Sequence, residues 1–110
     1  MNESEFLRAA TGVLDRIEEA IDASGIDIDI ERKGAGVLAL EFSNGTQIIV
    51  NLQAPMQQIW IAAKAGGFHF AQPGGQGGAQ WIDTRSGEEF FAVLSQHASL
   101  QNGAPVTLAA

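Results

Sequence analysis

Four carboxylates, Asp15, Glu18, Glu19 and Asp22, stand at i, i+3, i+4 and i+7. In a helix that spacing puts them on one face. Three more, Asp27, Asp29 and Glu31, follow at every second residue and alternate with Ile26, Ile28 and Ile30. That is the period of a strand with one apolar and one charged face. Exposed carboxylate oxygens suit hard cations, Fe, Mn, Mg or Ca, or the basic side chains of a partner protein. The calcium-loop pattern fails, because isoleucines alternate with the acids and no glycine follows Asp29. Acid–base catalysis needs one carboxyl in a dry cleft with a shifted pKa, and this patterning points the acids to solvent.

The acids are placed against local preference. Like charges at helical spacing repel by about 0.2–0.5 kcal/mol per pair. Asp22 falls in the last turn, where the helix dipole opposes an acid, and Asp is a poor strand former. A solvated helix face, or charge that keeps an edge strand from aggregating, accounts for part of the pattern. Neither explains the missing bases. The chain has 110 residues and a net charge of −7, and its first 31 residues hold nine acids against two bases. The rest of the chain holds four of each.

Composition narrows the classes. The length suits one domain, 1–110, with one core. Six basic residues among 110 argue against nucleic acid. With no cysteine, disulfides, thiolate metal sites and cysteine nucleophiles are excluded. No apolar run approaches the roughly 18 residues of a membrane span. Met1-Asn2-Glu3-Ser4-Glu5 is acidic where a secretory leader is basic. The expected compartment is the cytoplasm.

The elements that must hold these residues follow from periodicity. Phe6, Ala10, Val13, Leu14, Ile17 and Ile21 form one apolar stripe, which predicts a helix over 3–23. Asn2 with Glu5 would make a capping box, and Ser24-Gly25 a stop. Strands are expected at 26–31, 37–42, 46–52, 57–63 and 68–70, with a short one at Trp81-Ile82. Asn44-Gly45 is a hairpin signal, and Gly66-Gly67 is expected to break the chain between strands. A second helix is expected over 87–99, with Ser86 and Glu89 as its capping box and Phe90, Phe91, Leu94 and Ala98 as its stripe. Val106-Thr107-Leu108 reads as a tail that packs along a groove. The fold class is α+β, a two-layer sandwich with two terminal helices on one face of an antiparallel sheet of five to six strands. The other face is left to solvent or a partner.

On that free face the alternation places Trp60. Ile59 and Ile61 point to the core, so Gln58 and Trp60 point out, and Asn51 and Gln53 on the neighbouring strand do the same. A tryptophan among amides suits an interface anchor, with packing under the tail or a loop as the plain alternative. The weaker signals read as structural. The loop around Pro73–Gly78 lacks the Lys and Ser/Thr of a phosphate loop and reads as a connection. His69, between two phenylalanines that face the other way, is a candidate metal ligand, but with no second histidine at ligand spacing it reads as a structural or surface residue. His97, near the end of the second helix, sits where partial positive charge is favoured. No Ser-His-acid set stands out.

The stretch Asn51-Leu52-Gln53-Ala54-Pro55-Met56-Gln57-Gln58-Ile59-Trp60-Ile61-Ala62-Ala63-Lys64-Ala65-Gly66-Gly67-Phe68-His69-Phe70 resembles the signature of the frataxin family, in its bacterial branch. The likeness extends to Asn2–Phe6, Ile17-Glu18-Glu19, Trp81 and Asp83–Glu88, and so spans essentially the whole chain. It departs at Phe68, where the family usually has tyrosine, at Ala71, where an acid is common, and in the longer loop at 72–80. The resemblance implies an α–β sandwich that binds iron (Fe2+ or Fe3+) weakly through an acidic ridge, other divalent cations being able to substitute. It implies contact with the cysteine desulfurase and scaffold protein of iron–sulfur cluster assembly. Carried over by position, the ridge is Glu18, Glu19 and Asp22 on the helix, with Asp27, Asp29 and Glu31 beyond; Asp15 joins the candidate metal ligands by its helical spacing. Asn51, Gln53, Gln58 and Trp60 are the partner residues.

The expected function is that of a non-enzymatic, iron-binding accessory and regulator of iron–sulfur cluster assembly, monomeric without metal. Two alternatives stay open: a ferroxidase-like iron oxidation and storage protein, and a metal-free acidic interaction module.

Overall fold

The computed structural model describes residues 2–72 and 80–109. The first helix, α1 (Glu3–Ser24), opens with the expected capping box. Asn2 Oδ1 accepts from the Glu5 amide at 2.8 Å, and the Asn2 amide donates to Glu5 Oε1 at 3.0 Å, so two otherwise orphaned donors are satisfied. Gly25 ends the helix at φ 70°, a conformation glycine adopts without penalty. The chain then runs through β1 (Ile28–Arg32), β2 (Val37–Phe42), β3 (Gln47–Gln53), β4 (Gln58–Ala63), β5 (Gly66–Ala71) and β6 (Ile82–Asp83) into α2 (Phe90–Asn102).

The six strands pair antiparallel in chain order. Their inward positions, Leu38, Leu40, Phe42, Ile48, Val50, Ile59, Ile61 and Phe70, are all buried and join the α1 stripe and the α2 residues Phe90, Leu94 and Ala98 in one core. Both helices therefore cover the same face. Gly66 and Gly67 open β5 rather than breaking the chain, pairing with Ala63 and Ala62. The centre of the glycine-rich loop, Pro73–Gly78, lies outside the described residues.

The second helix starts later than expected, and the capping box of Ser86 and Glu89 does not form. Asp83 Oδ1 accepts from the Arg85 and Ser86 amides, and Ser86 Oγ accepts from the Glu88 amide. These bonds hold residues 83–88 in a turn that returns the chain, so that the Phe90 amide donates to the Trp81 carbonyl. Glu89 becomes the cap, its carboxylate accepting from the Phe91 and Ala92 amides at 2.8 and 3.1 Å. At the far end the helix runs on to Asn102. His97 is buried there rather than set at a solvated helix end, its ring 4.6 Å from that of Phe68.

The tail packs as expected. Val106 and Leu108 are buried, and their amides donate to Ser99 Oγ and Ser95 Oγ, each at 2.8 Å. Gln101 ties the same end of the sandwich together. Its side chain donates to the Gln47 carbonyl and accepts from the Lys64 amide, and its own carbonyl accepts from Asn44 Nδ2.

Candidate functional site

The 3.6-residue period sets the α1 acids apart from the core stripe, and the fold decides what they meet. Asp15, Glu19 and Asp22 are exposed, and Glu18 is half-buried on the flank toward β1. The expectation that these acids lack a base is corrected by Arg32, one residue past the acidic segment. Its Nη2 donates to Asp15 Oδ1 at 2.6 Å and its Nε to Glu18 Oε2 at 2.5 Å. The hydrogen bonds it donates, first to Glu18 and then to Asp15, raise the guanidinium pKa above its ordinary value. Glu19 and Asp22 take part in no ion pair among the described residues.

The strand acids point elsewhere. In β1, Ile28 is buried and pairs with Phe42, and Ile30 pairs with Leu40. The pleat therefore turns Asp29 and Glu31 to the face away from the helices. Asp29 lies directly opposite Glu41 on β2, so a second carboxylate joins it there, an unfavourable cross-strand neighbour. Asp27 precedes the strand and is exposed. Six of the seven acids thus form two sets, four on α1 and Asp29 with Glu31 on the sheet face away from the helices, while Asp27 sits in the turn that leads into β1.

Further across that open face lie the expected partner residues. Asn51 pairs with Trp60 and Gln53 with Gln58, making two adjacent cross-strand pairs. All four are half-buried. Among the described residues, the ring that Trp60 meets is that of His69. Its indole stacks on the imidazole of His69, with centroids 4.1 Å apart and planes 10° from parallel, and Nε1 donates to Gln58 Oε1 at 2.8 Å. The tryptophan is thereby held flat on the sheet in one orientation, and a preorganised aromatic surface loses little entropy on binding.

Arg32, His69 and Glu41 are the site residues that sequence reasoning missed. Alternation in Phe68-His69-Phe70 signals an outward His69, but contact with Trp60 needs the β4–β5 register. Among the described residues, no three His, Asp or Glu side chains gather as a ready ligand set.

A two-layer α–β sandwich with an acidic terminal helix, and a tryptophan stacked on the sheet face away from the helices, defines the class, a small α+β domain with two polar surfaces. A frataxin-like domain model matches residues 1–104, and the chain belongs to the frataxin-like family. It is 54% identical over 109 residues, 99% of each chain, to the iron-sulfur cluster assembly protein CyaY of Paraburkholderia phymatum. It is 57% identical to the CyaY of Paraburkholderia phytofirmans over 96% of each. Among solved structures, the frataxin of Psychromonas ingrahamii superposes with a TM-score of 0.87 at 39% identity, covering all of both chains. Trimeric frataxin from the yeast Saccharomyces cerevisiae, complexed with ferrous iron, superposes with a TM-score of 0.61 at 27% identity, over 92% of this chain and 85% of that one.

Proposed function

We propose that this chain is an iron-binding accessory and regulatory protein of iron–sulfur cluster assembly. The acid face of α1 carries iron or docks on a basic patch of the cysteine desulfurase. Full-length relatives named for iron–sulfur cluster assembly support the pathway, and a yeast relative complexed with ferrous iron supports the ligand. The observation that carries the reading is the pair Glu19 and Asp22, exposed, adjacent on one helix face and met by no base among the described residues. Such a surface attracts a cation or a basic protein without enclosing it.

In this reading Glu18, Glu19 and Asp22 are the centre of the ridge and Asp15 its flank. Asp27, Asp29 and Glu31 extend the negative field around the β1 edge. Asn51, Gln53, Gln58 and Trp60 meet the desulfurase and scaffold across the open sheet face. The protein delivers or regulates and assigns no residue to bond making. A loosely held ion fits delivery to an acceptor better than storage.

The test is a titration of Fe2+, and separately of the desulfurase, into wild type and the triple variant Glu18→Lys/Glu19→Lys/Asp22→Lys. Reversing three charges is expected to weaken both ligands at least tenfold at low ionic strength. Unchanged affinity for both sinks the reading.

A further inference from the structure

The acid face of α1 carries its own counter-ion. On β1 the inward positions are Ile28, Ile30 and Arg32, since Arg32 pairs with Leu38 just as Ile28 and Ile30 pair with Phe42 and Leu40. Arg32 is thus the last helix-facing residue of the edge strand, placed where the apolar core has ended. Its guanidinium reaches α1 and gives one nitrogen to Asp15 Oδ1 at 2.6 Å and another to Glu18 Oε2 at 2.5 Å. The two carboxylates stand at i and i+3, within reach of one planar fork.

We infer that Arg32 is a built-in competitor for the α1 acids: it occupies Asp15 and Glu18 as a metal ion or a partner's arginine would. This rests on the acid-face reading above and adds the regulation of that site. A cation that takes Asp15 or Glu18 must first displace Arg32, so those two acids bind more weakly than their charge suggests. Glu19 and Asp22, one turn along and in no ion pair among the described residues, are the open half. The other charged groups nearby do not share the role. Lys33 follows Arg32 in the chain, is exposed and makes no ion pair among the described residues. Arg8, two turns before Asp15, and Arg16, one turn before Glu19, make none either among the described residues. Glu31 points to the opposite sheet face.

The experiment is anaerobic calorimetry of Fe2+ alone at low ionic strength. It compares wild type, Arg32→Gln, Lys33→Gln, Glu19→Gln/Asp22→Asn, and Asp15→Asn/Glu18→Gln with and without Arg32→Gln. Lys33→Gln removes the same charge one residue away without breaking a pair. Arg32→Gln is expected to tighten Fe2+ roughly fivefold, the scale of a strong exposed ion pair, and Lys33→Gln by less than about twofold. In the Asp15→Asn/Glu18→Gln background the Arg32 effect is expected to shrink to that of Lys33→Gln. Arg32→Gln no tighter than Lys33→Gln, or a gain that survives without Asp15 and Glu18, overturns the inference while a loss in Glu19→Gln/Asp22→Asn still upholds the acid face. Affinity insensitive to every variant overturns both.

Discussion

Replacing Ser99 by alanine tests how the tail is held, and the structure sets the size of the effect. Ser95 and Ser99 are one helical turn apart on α2, about 6 Å. Val106 and Leu108 are two residues apart in an extended tail, about 6.6–6.8 Å. The near match lets two hydroxyls act as a strand partner. Ser99 Oγ accepts from the Val106 amide at 2.8 Å and lies 3.0 Å from its carbonyl, and Ser95 Oγ does the same for Leu108 at 2.8 and 3.0 Å. Val106 is only 4% exposed, so water does not readily replace the lost hydroxyl. An unsatisfied buried amide costs about 1–3 kcal/mol, and Ser99→Ala is expected to lose that much stability. Urea denaturation would read it directly, and the melting temperature should fall by about 4–8 °C per kcal/mol. Ser95→Ala acts on the same docked segment, so the double variant should lose less than the sum of the two. Once the tail detaches, the second hydroxyl has nothing left to hold. A Ser99→Ala loss below about 0.5 kcal/mol, with unchanged hydrogen-exchange protection of the Val106 amide, refutes the reasoning.

Three further outcomes follow from the site and its support. Trp60→Arg should weaken desulfurase binding by more than about tenfold, as expected of an interface anchor, while Fe2+ binding in calorimetry stays as in wild type. Gln101→Leu strands the Lys64 amide and the Gln47 carbonyl that its amide group now satisfies; a loss of about 2–4 kcal/mol in urea denaturation is expected. The pKa of Arg32 is raised in the fold, so its pairing is fully present below the ordinary arginine pKa and is lost only as pH rises through the raised value. The Arg32→Gln effect on Fe2+ affinity should therefore be flat between pH 7 and pH 8, and a clear slope there would point to another titrating group.

Much of the fold was legible because its signals are local. Six apolar residues at helical spacing and a cap at Asn2 define α1. Alternating isoleucines mark β1, and Asn44-Gly45 turns β2 into β3 with Gly45 at φ 86°. Alternation also turned Trp60, Asn51, Gln53 and Gln58 outward. The start of α2 was misread because Ser86 and Glu89 have the spacing of a capping box, whereas Asp83 and the return to Trp81 claim the amides of that stretch. The extent of β5 was misread because glycine is a breaker by propensity, yet Gly66 and Gly67 sit in a ladder held by their neighbours.

The sequence by itself determined which residues are acidic, which faces are apolar and which way each strand side chain points, since these depend on periods of 3.6 and 2 within a single element. Tertiary structure alone decided that Asp29 meets Glu41, that Arg32 pairs with Asp15 and Glu18, and that His69 stacks on Trp60. Those contacts join different elements. Arg32 is 14 and 17 residues from its partners along the chain, and the distance closes only when β1 and α1 pack on one core. Register and packing fix such meetings, and no local pattern carries them.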